Sequence, residues 1–262
     1  MELPLGILPK IFRINPGLVI HAGANLCQER FEYDKAGFGP IVWIEALESI
    51  SSEARILLKN LENQFVIQAA LWDSSGVDIP FNVASNKGES SSVFKFKWHQ
   101  TLHPYITTES TLILKSQTLD DVIDAHFKEK IATVSLLVLD LQGAEYEVLA
   151  GANKILEVTQ AIHIEVSRVQ LYKGQKLIYS IDNLLGDLGF RLVAHDLTKK
   201  RYSGDALYIR SNLVEDFLCM SLPRRPIFPY LTFKNSLRFL LVRIGISPKL
   251  TQSFINKFSK FW

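Results

Sequence analysis

The sequence predicts an α/β fold of the Rossmann-like type, a doubly wound, mostly parallel seven-stranded sheet with helices on both faces. Three observations lead there. Apolar, β-branched runs recur along the first 210 residues and are nearly continuous rather than alternating, as in strands buried on both faces. Stretches with helical periodicity lie between them. Two of the runs close on a carboxylate and one on a small-residue turn, which puts polar groups at the carboxyl edge, where such sheets bind ligands.

The elements follow in order. Leu18 to Gly23 reads as the first strand, stopped by glycine, and a helix is expected after its turn. Ile41 to Glu45 is the second strand. Ser49 to Asn60 is a helix, with Ser at its start and Asn at its end. Phe65 to Leu71 is the third strand. Ser85 to Ser92 is rich in Ser, Asn, Lys and Gly and reads as a loop, and no regular element is assigned from there to about Leu112. Leu119 to Lys130 and Ala144 to Leu156 are amphipathic helices flanking the fourth strand, Val134 to Asp140. Ala161 to Val166 is the fifth strand, and strands near Phe190–Ala194 and Ala206–Arg210 complete the set. A Rossmann-like domain over 1–210 is expected, with an extension over 211–262.

Composition narrows the class. With 262 residues, 47% hydrophobic and 11% aromatic, the chain is long and apolar enough for a full core, which excludes general disorder. Cys27 and Cys219 are far apart and cannot build a disulfide framework, so a reducing compartment is expected. No run of apolar residues is long enough for a membrane span, and Met1–Pro4 lacks the basic start of a signal peptide. A cytoplasmic protein is the reading. The extension differs chemically from the body: it holds eight Lys and Arg against Glu215 and Asp216, with many aromatics. An amphipathic, basic segment of this kind can lie on an anionic membrane or pack on the body or a second subunit, so peripheral membrane contact and homo-oligomerisation both stay open. No nucleic-acid-binding module accompanies the charge.

Three motifs carry chemistry. His21-Ala22-Gly23-Ala24-Asn25 is a small-residue turn after the first strand, where a ligand can approach the backbone and a following helix would offer free N–H groups. Glu45 closes the second strand about twenty residues later, the place of a ribose-binding acid in Rossmann-like folds. The G-x-G-x-x-G fingerprint is absent, which argues against a nicotinamide dinucleotide and for a nucleoside ligand without pyrophosphate, such as S-adenosylmethionine. The third motif, Leu136 to Glu145, sets Asp140 at the end of a fully apolar strand, where a carboxylate is costly unless solvent, a metal or a ligand meets it.

With these residues in view the chain resembles the FkbM-family methyltransferases, which use S-adenosylmethionine and mostly methylate hydroxyl oxygens of sugars and secondary metabolites. The resemblance rests on Gly23-Ala24-Asn25, Glu45, Thr118-Leu119-Asp120, the block Asp140-Leu141-Gln142-Gly143-Ala144-Glu145 with Gly151-Ala152, Ile162-His163-Ile164-Glu165, and Gly204-Asp205-Ala206-Leu207-Tyr208. His21 stands where the family has an acid, Cys27 where it has a second glycine, and Val138 where Lys is common.

The resemblance implies a class I methyltransferase sheet and a division of labour. Gly23, Ala24 and Asn25, with His21, would line the methionine portion of the cofactor; Glu45 and Ala46 would sit at the ribose; Gln68, Ala70 and Leu71 would border the adenine; and Asp140 would face the same crevice. Asp140 and Glu165, closing neighbouring strands, could hold Mg²⁺ through oxygen ligands and so activate an acceptor hydroxyl. Alternatively a carboxylate, or His163, could act directly as general base. The expected acceptor is a saccharide or another small molecule. A degenerate, non-catalytic relative that binds a glycan or a protein partner is the alternative, motivated by His21 and Cys27.

Overall fold

The chain opens on a short helix, α1 (Ile7–Phe12), and then alternates through β1 (Val19–Ala22), α2 (Arg30–Ala36), β2 (Ile41–Glu45), α3 (Glu48–Leu58) and β3 (Gln64–Gln68). A smaller set of elements follows: β4 (Ala70–Leu71), β5 (Asp78–Ala84), α4 (Trp98–Leu102) and β6 (Thr108–Gln117). The alternation resumes with α5 (Leu119–His126), β7 (Leu136–Leu139), α6 (Glu145–Ala150), α7 (Asn153–Val158), β8 (Ala161–Ser167), α8 (Ile178–Asp187), β9 (Phe190–His195) and β10 (Ser203–Arg210). This computed structural model describes residues 5, 7–197 and 201–214. Nearly all of the basic extension read from the sequence lies outside the described residues.

Seven strands make one sheet in the order β3-β2-β1-β7-β8-β10-β9. All pairings are parallel except those of β10, which runs antiparallel to both β8 and β9. Strand order reverses between β1 and β7, whose registers pair Ala22 with Leu139. The crevice at such a reversal is the ligand-binding place of doubly wound sheets.

Each face of the sheet buries its own core. Leu119, Val122, Val148, Leu149, Ile155, Ile181 and Leu185 bring α5, α6, α7 and α8 onto one face. Leu8, Phe12, Tyr33, Ala54 and Leu58 bring α1, α2 and α3 onto the other, against Trp43, Val138 and Leu207. Burial on both faces explains why β1, β2 and β7 read as unbroken apolar runs. The Thr118-Leu119-Asp120 motif has a structural task. Thr118 caps α5 by accepting from the Asp121 N–H, Leu119 enters the core, and the Asp120 carboxylate accepts from the N–H groups of Lys154 and Ile155 in the first turn of α7.

The structure departs from the sequence reading in four places. The run Phe65 to Leu71 is two strands, because Ala69 passes the chain from the large sheet (β3) to a second, three-stranded sheet in the order β4-β6-β5. The unassigned stretch before Leu112 contains α4 and the start of β6, which pairs antiparallel with β5. Within that stretch β6 opens on the exposed polar run Thr108 to Thr111, which gives no strand pattern to announce it. The single helix over Ala144–Leu156 is two, α6 and α7. A Cβ at Gly151 would lie 2.9 Å from the carbonyl oxygens of Trp72 and Asp73, so the chain turns where it crosses that backbone. Asp140 falls just beyond the last paired residue of β7, which frees its side chain from the sheet. Among the described residues no helix is long and apolar enough to cross a membrane.

Candidate active site

The turn after β1 is closed by hydrogen bonds rather than left open for a ligand. The Gly23 and Ala24 N–H groups both donate to the Ile44 carbonyl, the Asn25 N–H donates to Glu45 Oε2 at 3.0 Å, and the Leu26 N–H donates to Asn25 Oδ1. The expectation of free N–H donors at a helix start is therefore corrected: α2 begins only at Arg30, and the turn spends its donors joining β1 to β2. Glu45 is the centre of this junction, since its Oε1 also accepts from the Leu47 N–H at 2.9 Å. Burial raises the Glu45 carboxyl above its ordinary range, and these backbone donors offset part of that rise.

A cleft of about 60 Å³ opens at the carboxyl ends of β1, β2 and β7. Gly23, Asn25, Glu45 and Ala46 form one wall, and Ala70, Leu71 and Phe81 another. Asp140 and Gln142 form the floor, with Gly88, Glu89 and Ser91 at the rim. One acid thus stands at the β2 side and one at the β7 side of the cleft, with Glu89 a third in its lining.

Under the floor three carboxyl groups converge. Asp140, Glu145 and Glu165 each bring an oxygen within 4.8 Å of the others. Glu145 Oε1 accepts from the Leu141 and Gly143 N–H groups, at 2.8 and 3.0 Å, and so holds the turn that carries Gln142. Gln142 Nε2 donates to Asp140 Oδ1 at 2.7 Å and lies 3.5 Å from Glu165 Oε2. Burial, followed by acid neighbours, lifts all three: Asp140 to about 6 although it opens to the cleft, Glu145 to about 7, and Glu165 well above the usual carboxylate range. The group does not carry three full charges at neutral pH. For a cation, the set offers oxygens, yet the side chain lying against Asp140 and Glu165 presents an N–H donor.

The other residues read from the sequence are placed off the cleft lining. His21 points to the opposite face of β1, where its Nδ1 meets the Tyr33 hydroxyl at 3.0 Å and its ring packs 5.0 Å from that of Trp43. Alternation along a strand decides this, because Ala22 and Ile20 take the other face. His163 lies on the same face as His21, with Nε2 3.9 Å from Asp205 Oδ1, and burial keeps it neutral. Ala24 is buried beneath the turn, and Gln68 Nε2 donates to the Ala46 carbonyl. Gln142, Glu145 and Tyr172 were not singled out as site residues. The first two stand inside the Asp140 block, whereas Tyr172 carries no local signal.

His21 yields a stability prediction. Burial lowers its pKa to about 3, against 6.5 when the chain is unfolded. Between these values the unfolded state binds a proton that the folded state refuses, so stability falls as pH drops below 6.5. From pH 7 to 5 this single group should cost about 2 kcal/mol. Urea unfolding at the two pH values should show a smaller loss in His21→Gln than in wild type; an equal loss would place the proton uptake elsewhere.

The methyltransferase FkbM domain, as a family, matches residues 21–192, a span that runs from within β1 to within β9 and includes every residue lining the cleft. The chain belongs to the FkbM methyltransferase family. The matched span is a methyltransferase domain, for which S-adenosylmethionine is the cofactor. Over 140 residues it is 28% identical to the 2-O-methyltransferase NoeI of Sinorhizobium fredii (strain NBRC 101917 / NGR234), a match over 51% of this chain and 55% of that protein. The chain thus spans about half the length of this curated relative. Solved structures with a similar chain path include magnesium protoporphyrin IX methyltransferase (ChlM) from Synechocystis PCC 6803 with bound SAM, at 15% identity and a TM-score of 0.42 over 79% of this chain and 76% of that one. A SAM-dependent methyltransferase from Aquifex aeolicus is 11% identical, with a TM-score of 0.41 over 79% and 89%.

The FkbM site fits its cofactor by the chemistry of its walls. Each Glu45 oxygen already accepts one N–H and keeps a lone pair for a ribose hydroxyl. Ala69, Ala70 and Leu71 offer an apolar edge suited to a purine.

Proposed function

We propose that this FkbM methyltransferase is an O-methyltransferase that acts on a hydroxyl of a saccharide or glycosylated small molecule, with Asp140 as the general base. The observation that carries the reading is the placement of Asp140: it is exposed at the end of β7 and lines the same cleft as Glu45. The similar protein NoeI is a 2-O-methyltransferase, which supports an oxygen acceptor.

The cofactor supplies an electrophilic methyl group on a sulfonium. The work left to this chain is alignment and removal of one proton. In the proposed arrangement Glu45 accepts from the ribose diol, and Gly23 and Asn25 lie along the methionine portion. Ala46, Ala70 and Leu71 flank the adenosine. Asp140 Oδ2, which accepts from no donor among the described residues, takes the acceptor proton, while Oδ1 stays bonded to Gln142. Glu165 backs Asp140 from beneath the floor. His163, neutral and distant from the lining, has no part in this step. A direct base is favoured over a Mg²⁺-held acceptor because the side chain against both Asp140 and Glu165 presents a donor, not an oxygen ligand.

Calorimetry with S-adenosylmethionine, S-adenosylhomocysteine and NAD, followed by transfer of a labelled methyl group to a panel of free and glycosidic saccharides, tests the reading. Binding of both adenosyl ligands but not NAD, with label recovered as a methyl ether, is expected. Binding without transfer to any hydroxyl would favour the non-catalytic relative. Absence of binding would overturn the proposal.

Glu45→Ala removes an acceptor for the ribose and strands the N–H groups of Asn25 and Leu47. Affinity for S-adenosylhomocysteine should fall by roughly ten- to a hundredfold, the range for hydrogen bonds to a charged group. Titration calorimetry at pH 7.5 reads it, and unchanged affinity would mean the ribose is held elsewhere.

A further inference from the structure

We propose that Tyr172 is a positioning residue for the transfer proposed above, an inference that rests on that reading. Its hydroxyl fixes which way round the Gln142 side-chain amide sits, and that amide holds Asp140 toward the cleft.

The backbone of Gln142 is pinned on both sides. It lies in the left-handed region at φ 52°, where a non-glycine residue is uncommon. Glu145 Oε1 accepts from the N–H groups before and after it, at 2.8 and 3.0 Å, and Ser92 Oγ donates to its carbonyl at 2.8 Å. The freedom left to the side chain is a half-turn of its amide, which exchanges a donor for an acceptor at each end.

One end faces acids, with Nε2 at 2.7 Å from Asp140 Oδ1 and 3.5 Å from Glu165 Oε2. The other end, Oε1, accepts from the Tyr172 hydroxyl at 2.6 Å. That hydroxyl has one proton and two acceptors in reach, and the Ser90 carbonyl, at 3.3 Å, is the farther. Burial holds the phenol protonated far above neutral pH, so its one proton is available for Gln142 Oε1. A flipped amide would set Oε1 against the carboxylates, and its NH₂ could donate to the hydroxyl only if the hydroxyl turned its own proton to the Ser90 carbonyl at 3.3 Å. The flip would forfeit the contact with Asp140 and exchange a 2.6 Å donation for a longer one.

Tyr172 is itself rigidly placed. It is fully buried, its ring packs on those of Phe96 and His99 at 5.7 and 5.4 Å, and Gln175 Oε1 accepts from its N–H and that of Leu171. Lys97 and Lys173 N–H groups donate across to the Leu171 and Lys95 carbonyls, joining this turn to the segment that enters α4. The hydroxyl therefore ties the floor of the cleft to the stretch of chain between β5 and β6.

The test reads the Gln142 amide itself, in the ligand-free full chain. Its side-chain ¹H–¹⁵N pair is assigned by its loss in Gln142→Leu. In wild type the two protons should be well separated in shift and slow to exchange with water. Tyr172→Phe keeps the ring and its packing, so a space-filling role predicts an unchanged amide. The proposal predicts a shifted pair whose exchange is about fivefold faster, the effect of one neutral hydrogen bond. It also predicts slower methyl transfer with S-adenosylhomocysteine affinity within about twofold of wild type. An unchanged amide in a folded Tyr172→Phe would overturn it. If that variant does not fold, the wild type decides: a resolved, slowly exchanging Tyr172 hydroxyl proton supports the proposal, and its absence overturns it. Because the amide is observed without cofactor or acceptor, a failure of the methyltransferase reading would appear in the calorimetry and leave this result intact.

Discussion

Asp140→Asn is expected to bind S-adenosylhomocysteine within about twofold of wild type and to transfer methyl groups roughly 10²–10⁴-fold more slowly, the usual contribution of a general base. Asparagine keeps the shape and can still accept from Gln142 Nε2 through its side-chain oxygen, so the floor of the cleft should survive. What it loses is the second, proton-accepting oxygen. The comparison with EDTA separates the two mechanisms read from the sequence. A direct base predicts that EDTA leaves the wild type active. Inhibition by EDTA that Mg²⁺ reverses would instead mean that Asp140 and Glu165 serve a cation, with the Gln142 amide displaced. A fully active Asp140→Asn would make this carboxylate structural and end both accounts.

The second large effect is on the fold. Gly23→Ala should destabilise the chain on the order of 4 kcal/mol or more, the range reserved for severe backbone conflicts. A Cβ there would lie 1.7 Å from the Asp140 carbonyl oxygen and 2.7 Å from its carbon, and Gly23 has φ +84°. Neither strand can give way easily. Asp140 N–H donates to the Ala22 carbonyl, while Gly23 N–H donates to Ile44, so three strands meet within one residue of the methyl group. Thermal unfolding should show a fall in Tm on the order of 10 °C, as a loss of this size implies for a chain of this length, together with loss of S-adenosylhomocysteine binding. A variant that melts with the wild type would show that β1 and β7 do not approach so closely.

Much of the fold was legible because burial on both faces writes itself into composition. Strands such as Ile41–Glu45 and Leu136–Leu139 are apolar at every interior position, and no alternative period fits them. Glu45 and Asp140 were legible for the converse reason: a carboxylate at the end of such a run has to meet something polar, and the carboxyl edge of a parallel sheet is where it can. The pair of β5 and β6 was not legible: β6 is exposed along most of its length and carries no buried pattern, and β5, though largely buried, is interrupted by Pro80 and Asn82.

Where the sequence stopped was at every decision made by neighbours distant along the chain. Whether His21 served the cleft or the core depended on the face of β1 it took, and Tyr33 and Trp43 settle that. The helix from Ala144 was cut at Gly151 by the backbone of Trp72 and Asp73, some eighty residues earlier. Gln142 reads locally as one polar residue in a turn, and its task appears only when Tyr172, Asp140 and Glu165 surround it. The sequence by itself determined the class of sheet, the edge at which the cleft opens and two of the acids that line it, because each follows from local periodicity and the cost of burying charge. The tertiary structure alone decided which polar groups face the cleft and how they are turned, because a hydrogen bond is set by distance and direction between partners, and spacing along a chain specifies neither.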